Sequence, residues 1–112
     1  MLEICAIASG SNGNCYYIGN EKDAVLIDAG ISCKQILLRM DSKGLNPQKV
    51  KAIFISHEHS DHMRGARVLA KRLNIPVWLT AKTYYAAWKN IQPAMPRFFS
   101  PGDPMEAGEF TV

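Results

Sequence analysis

The three histidines of the chain stand close together, in the pattern His57-x-His59-x-Asp61-His62. Imidazole nitrogen and carboxylate oxygen are ligands that zinc, manganese and iron accept readily from proteins. Alternate residues of an extended segment project to the same side, so His57 and His59 can converge on one metal ion. Asp61 and His62, further along, would face a second ion beside it. A polar, solvent-facing loop without metal is the alternative, and ligand type, spacing and position together disfavour it.

Two neighbouring ions would give this segment hydrolytic chemistry. Catalytic zinc sites use three protein ligands and a water, and paired sites hold two metals about 3.5–4 Å apart that share an activated hydroxide. The candidate metal ligands are His57, His59, Asp61 and His62. Asp61 is also the candidate catalytic residue, and we expect Glu58 and Ser60 to point away from the metals. These four ligands supply only part of a two-metal centre, and no histidine follows His62.

A buried strand is needed to place this segment. Residues 52–55 are a continuous apolar run, typical of a strand covered on both faces in a parallel sheet, and they lead directly towards His57. A helix is predicted over residues 64–73, because apolar residues such as Leu69 recur on one side while basic residues such as Arg67 face away. The candidate ligands therefore lie between a strand and a helix.

The other elements fit a mixed sheet. Short strands separated by Gly, Asn, Asp and Ser clusters open the chain and predict an antiparallel meander. Ser32 and Gln35 have capping-box spacing at the start of a helix that Gly44 ends. Alternating strands and helices from residue 24 to residue 79 indicate a locally parallel sheet and an α/β fold. The predicted strands are 2–8, 15–19, 24–28, 52–55, 77–79, 97–100 and 109–112, and a third helix is predicted over 80–90.

Length, composition and charge indicate a protein of one domain and disfavour a membrane or disulfide-rich protein. A chain of 112 residues, 47% of them hydrophobic, fits one core, so we interpret residues 1–112 as a single domain. The net charge of +3 permits an anionic substrate without arguing for one. No segment approaches the roughly 20 apolar residues of a membrane span and the N-terminus lacks a secretory signal, so we expect a cytoplasmic protein without membrane contact. The three cysteines lack CxxC spacing, which favours buried hydrophobes over a disulfide, a zinc site or a reactive thiol.

At its histidine segment the sequence resembles the metallo-β-lactamase superfamily. The hallmark of that superfamily, His-x-His-x-Asp-His at the end of a strand, is matched from His57 to His62. Its earlier motif, an Asp that closes a strand before Ala-Gly or Thr-Gly, is matched at Asp28. The resemblance implies that Asp28 hydrogen-bonds and orients the ligand segment rather than binding metal, whereas a strand-end turn residue is the alternative. Residues 8–15 and 56–65 are similar to the WalJ/YycJ-type branch of bacterial proteins.

The resemblance implies an αβ/βα sandwich with a mixed β-sheet, of which this chain would be the N-terminal half. Superfamily enzymes complete their centre with later histidines and a bridging aspartate. Here the nearest later carboxylates, Asp103 and Glu106, follow Pro and Gly residues that predict a surface turn. The implied cofactor of the complete protein is a pair of divalent ions, zinc or manganese, with iron as the alternative. Half of such a sandwich would expose a sheet face, which predicts self-association.

The WalJ/YycJ-type branch implies a nuclease. We expect the whole protein to be a metal-dependent phosphodiesterase, a 5′ to 3′ exonuclease on single-stranded DNA that uses a metal-activated hydroxide. The alternatives are another hydrolase of this fold, acting on a thioester, lactone or β-lactam, and a mononuclear-iron sulfur dioxygenase. For the chain by itself, an inactive fragment is a further interpretation.

Overall fold

The first three strands form an antiparallel meander. In the computed structural model, residues 2–10, 13–55 and 65–79 are described in full, and residues 95–98, 106–107 and 110–111 as backbone. Strands β1 (Glu3–Ala8), β2 (Cys15–Gly19) and β3 (Ala24–Ile27) follow one another, and each pairs antiparallel with the next. The meander predicted from the turn residues is confirmed, with strand ends within one residue of those expected.

The second half of the sheet is parallel. Strands β4 (Val50–Phe54), β5 (Pro76–Leu79) and β6 (Met95–Phe98) extend the sheet from β3, in the order β1-β2-β3-β4-β5-β6. Two further strands, β7 (Glu106–Ala107) and β8 (Phe110–Thr111), pair antiparallel in a separate sheet. The predicted mixed sheet is confirmed, although β6 begins two residues before the predicted 97–100.

One helix connects β3 to β4, and another connects β4 to β5. Helix α1 (Cys33–Ser42) begins after Ser32, whose hydroxyl accepts a hydrogen bond from the Gln35 backbone N–H at 3.2 Å, as the capping spacing predicts. A 3-10 helix (Pro47–Lys49) precedes β4 and was not anticipated. Helix α2 (Ala66–Leu73) ends at Asn74, which adopts the left-handed conformation with φ of 57°. The third helix predicted over 80–90 lies outside the described residues.

The main core lies between the helices and one face of the sheet. Leu26 and Ile53 point from the strands towards Ile36 and Met40 of α1 and Leu69 of α2, and all five side chains are fully buried. Leu69, predicted to lie on the apolar side of the helix over residues 64–73, therefore faces the core. Two of the three cysteines, Cys15 and Cys33, are buried and Cys5 is half-buried, as expected of small hydrophobes.

The opposite face of the sheet carries a second, smaller cluster. Its buried members are Val25, Ala52 and Phe54, with Ile18, Ile27 and Trp78 packed against them and half-buried. Among the described residues of this face, apolar exposure is uneven: Ile4, which pairs with Ile18 at the β1 edge, is 68% exposed, whereas Phe54 is 4% exposed. Self-association through this face stays a prediction. No helix among the described ranges is long and apolar enough to cross a membrane.

Candidate metal centre

The candidate ligands His57, His59, Asp61 and His62 lie outside the described residues. We call residues 56–64, which contain them, the motif segment. Within the parts of the chain that the structure describes, no group of three His, Cys, Asp or Glu side chains could hold a metal ion. The structure instead defines the two positions between which the motif segment runs, Ile55 after β4 and Gly65 before α2.

The motif segment follows β4, which ends at the carboxyl edge of the parallel strands. Strands β3 and β4 are parallel, and Ile27 is the register partner of Phe54. Both strands end at this pair, so Asp28 and Ile55, the residue before the motif segment, follow the strand ends side by side. In open α/β sheets, ligands bind at the carboxyl ends of the strands. Asp28 and the residue that precedes the motif segment therefore lie at the edge where such folds bind ligands.

Asp28 occupies a conformation that has to be held in place. It is 4% exposed and is the buried charged side chain of the described residues. Its φ of 67° lies in the left-handed region, which is unfavourable for side chains other than Gly and tolerated best by Asn and Asp. The Asp28 N–H donates to the Phe54 carbonyl at 2.7 Å, which ties it to the end of β4. A buried carboxylate in strained backbone at a strand end is typical of a functional position.

One turn anchors both ends of the motif segment. We call residues 28–31 the Asp28 turn. The Phe54 carbonyl before the segment accepts from Asp28, and the Gly65 N–H after the segment donates to the Ala29 carbonyl at 2.7 Å. A Cβ atom on Gly65 would overlap the Ile31 carbonyl, so only glycine fits there. Sequence reasoning missed this role of Gly65; its place shortly after the last histidine, at the start of a helix, was the available signal.

Cys15 lies close to the Asp28 turn, and the charge of Asp28 affects the pKa of its thiol. Burial, and to a lesser degree the negative charge of Asp28, raises the pKa of the Cys15 thiol from 9.0 to about 12. The thiol is fully buried at the start of β2. Cys15 is therefore a neutral packing residue beside Asp28 and not a nucleophile at neutral pH.

The raised pKa of Cys15 predicts a pH-dependent stability. Because the folded pKa lies above the unfolded value, the contribution of the neutral thiol is complete below pH 9 and is lost as pH rises towards 12. We expect the unfolding free energy to fall with pH above 9 more steeply in the unaltered chain than in Cys15→Ala, by up to about 1.4 kcal/mol per pH unit. Urea unfolding at several pH values measures both slopes, and equal slopes would contradict the assignment.

Known proteins match nearly the whole chain. The family model described as Metallo-beta-lactamase superfamily matches residues 8–111. The chain is 37% identical to the exodeoxyribonuclease YycJ of Bacillus anthracis over 99% of its length, and 40% identical to the exodeoxyribonuclease WalJ of Streptococcus pneumoniae D39 over 71%. The resemblance to the WalJ/YycJ-type branch, predicted from residues 8–15 and 56–65, is confirmed.

Solved structures share the fold. The Rm3 metallo-β-lactamase superposes on 96% of the chain with a TM-score of 0.81 at 21% identity, which confirms the predicted metallo-β-lactamase-like fold. The chain spans 43% of the Bacillus anthracis relative, 30% of the Streptococcus pneumoniae relative and 46% of the Rm3 chain. It thus corresponds to less than half the length of each.

Proposed function

Because the chain belongs to the metallo-β-lactamase superfamily, we propose that it is part of a metal-dependent phosphodiesterase that degrades single-stranded DNA from the 5′ end. One structural observation carries the proposal of a hydrolytic site: the buried Asp28 lies beside the end of β4, the strand that precedes the motif segment. The names of the relatives from Bacillus anthracis and Streptococcus pneumoniae support DNA as the substrate. The proposal includes a cytoplasmic location, as expected from the sequence.

The donor set of the motif segment fits divalent metal. Three imidazoles and a carboxylate suit zinc or manganese, and iron is the alternative. His57, His59, Asp61 and His62 would hold the ions. When bound, the ions would activate water and neutralise charge on the phosphate. Asp61 is proposed to be both ligand and catalytic residue.

Asp28 is proposed to orient the ligands. Metal-binding histidines commonly donate their second N–H to a carboxylate, which fixes the ring and its tautomer. Asp28 is buried, and its backbone is tied to Phe54, two residues before the motif segment. A carboxylate fixed in this way can hold a ligand side chain in one orientation without itself touching the metal.

Two other functions use the same ligands. Hydrolysis of a thioester, lactone or β-lactam is the first, and oxidation of a sulfur compound at a single iron is the second. The likeness to metallo-β-lactamases of solved structure, at 21% identity, concerns the fold and favours neither. The identity of 37–40% with exodeoxyribonucleases is the observation that favours the nuclease.

The proposed nuclease activity is tested in two proteins, the chain alone and a hybrid. In the hybrid, this chain replaces the matching part of the Bacillus anthracis relative, so the remaining length of that protein is present. Both are loaded with manganese or zinc and given single-stranded DNA labelled at its 5′ or 3′ end, a β-lactam, a lactone and a thioester. We expect the hybrid to release the 5′ label first in a manganese-stimulated reaction, and the chain alone to be inactive. Hydrolysis of a small substrate by a folded hybrid that leaves DNA intact would contradict the nuclease.

A further inference from the structure

The N-terminal loop, between β1 and β2, is hydrogen-bonded to the Asp28 turn. The Gly30 N–H donates to the Asn14 carbonyl at 2.8 Å, so the loop between β1 and β2 is bonded directly to the turn. Inside the loop, the Gly13 N–H donates to the Gly10 carbonyl and the Gly10 N–H to Asn14 Oδ1, both at 3.2 Å. The side chain of Asn14 therefore shapes the loop whose backbone holds the turn.

Gly13 permits this contact because it lacks a side chain. A Cβ atom at residue 13 would lie 2.6 Å from the Gly30 carbonyl oxygen and 2.7 Å from Ile31 Cγ2, closer than real Cβ atoms approach. Its φ of 139° is also unfavourable for any other residue. A side chain at this position would have to push the Asp28 turn away from the loop.

The same turn fixes the two ends of the motif segment. Its residues Asp28 and Ala29 bond to Phe54 and Gly65, which lie before and after that segment. Displacing the turn therefore moves the carboxylate of Asp28 and the anchor points of the segment together. The contacts form a continuous path from the N-terminal loop to Phe54 and Gly65, the residues bonded on either side of the motif segment.

We propose that Gly13 and Asn14 are positioning residues for the metal centre, acting through the Asp28 turn. They set the place of the turn, and the turn sets the separation of the ends of the motif segment and the place of Asp28. This inference rests on the proposed metal centre. It assigns a role in metal affinity to two residues that are not among the proposed metal ligands.

The loop offers a matched pair of variants for the test. Gly10 and Gly13 both have positive φ, 113° and 139°, so alanine strains the backbone at either position. Nothing lies within 4 Å of a Cβ on Gly10, whereas a Cβ on Gly13 would press on the turn. We expect Gly13→Ala to weaken zinc binding by the chain about tenfold or more, measured by competition with a chelator, and Gly10→Ala, which places no atom against the turn, to weaken it much less. If the unaltered chain binds zinc, equal zinc affinities in the two variants would overturn the proposal.

A metal-free measurement separates this inference from the proposed function. Amide hydrogen exchange at Gly65, whose N–H bonds to Ala29, reports the anchor directly. We expect faster exchange at Gly65 in Gly13→Ala than in Gly10→Ala. If the unaltered chain binds no zinc but shows this difference, the positioning path stands and the metal centre within this chain fails. If the unaltered chain binds zinc and neither affinity nor exchange distinguishes the two variants, the metal centre stands and the positioning role is wrong.

Asn14→Ala provides a milder variant should the Gly13→Ala chain not fold. It removes the Oδ1 acceptor of the Gly10 N–H without placing new atoms against the turn. We expect a smaller loss of zinc affinity and faster exchange at Gly65, with thermal unfolding showing that the fold is kept. Unchanged affinity together with unchanged exchange would overturn the role of Asn14.

Discussion

Replacing His57 and His59 together with alanine is expected to abolish zinc binding by the chain. Alternate positions place both imidazoles towards one ion, and removing both leaves too few donors to compete with water. Native mass spectrometry after reconstitution with zinc counts bound ions and associated subunits in one experiment. We expect at most one ion in the unaltered chain, because four ligands supply only part of a two-metal centre.

The neighbouring Glu58 supplies the control for this experiment. Glu58→Gln removes a carboxylate from the same segment, and we expect it to keep the ion because alternation points residue 58 away from the metals. An ion retained by the double variant would contradict the ligand assignment. Two ions in the unaltered chain would show that later sequence is not required, and the interpretation of the chain as half of a site would be wrong. The same spectra show whether the chain self-associates.

Replacing Asp28 is expected to have the second largest effect on zinc binding, after the loss of His57 and His59. Asp28→Ala removes a buried carboxylate and forces alanine into the left-handed conformation, which costs about 1–2 kcal/mol. Asp28→Asn keeps the shape and tolerates that conformation, but loses the charge. We expect zinc affinity to fall about 10–100-fold in both variants, whereas the melting temperature falls mainly in Asp28→Ala. Chelator competition and thermal unfolding measure the two effects separately.

A carboxylate at the opposite end of β3 serves as the control. Asp23 precedes β3, and its Oδ1 lies 4.0 Å from Lys51 Nζ, so Asp23→Asn removes the same charge far from the carboxyl edge of the sheet. We expect its zinc affinity to match that of the unaltered chain. If Asp28→Asn also binds zinc as tightly as the unaltered chain, Asp28 is a turn residue only. That was the alternative that the sequence left open.

Local patterns in the sequence determined the elements and the chemical character of the site. Strand alternation, turn residues and the Ser32 cap act over a few neighbouring residues, so β1 to β5 and α1 could be predicted closely. The spacing of the histidines and the place of Asp28 after β3 likewise belong to the sequence. Asp28 was expected at a strand end, and the structure places it there.

Only the tertiary structure showed how the loop, the turn and the strand ends are hydrogen-bonded to one another. The bonds from Gly30 to Asn14, from Asp28 to Phe54 and from Gly65 to Ala29 join residues that are distant along the chain. No local pattern encodes such bonds, because they form only when the β1–β2 loop, the Asp28 turn and the start of α2 pack at one edge of the sheet. The closeness of Cys15 to Asp28 and the requirement for glycine at residues 13 and 65 arise from the same packing. The sequence thus specified which side chains are available for chemistry, whereas long-range backbone contacts determine where the supporting residues sit.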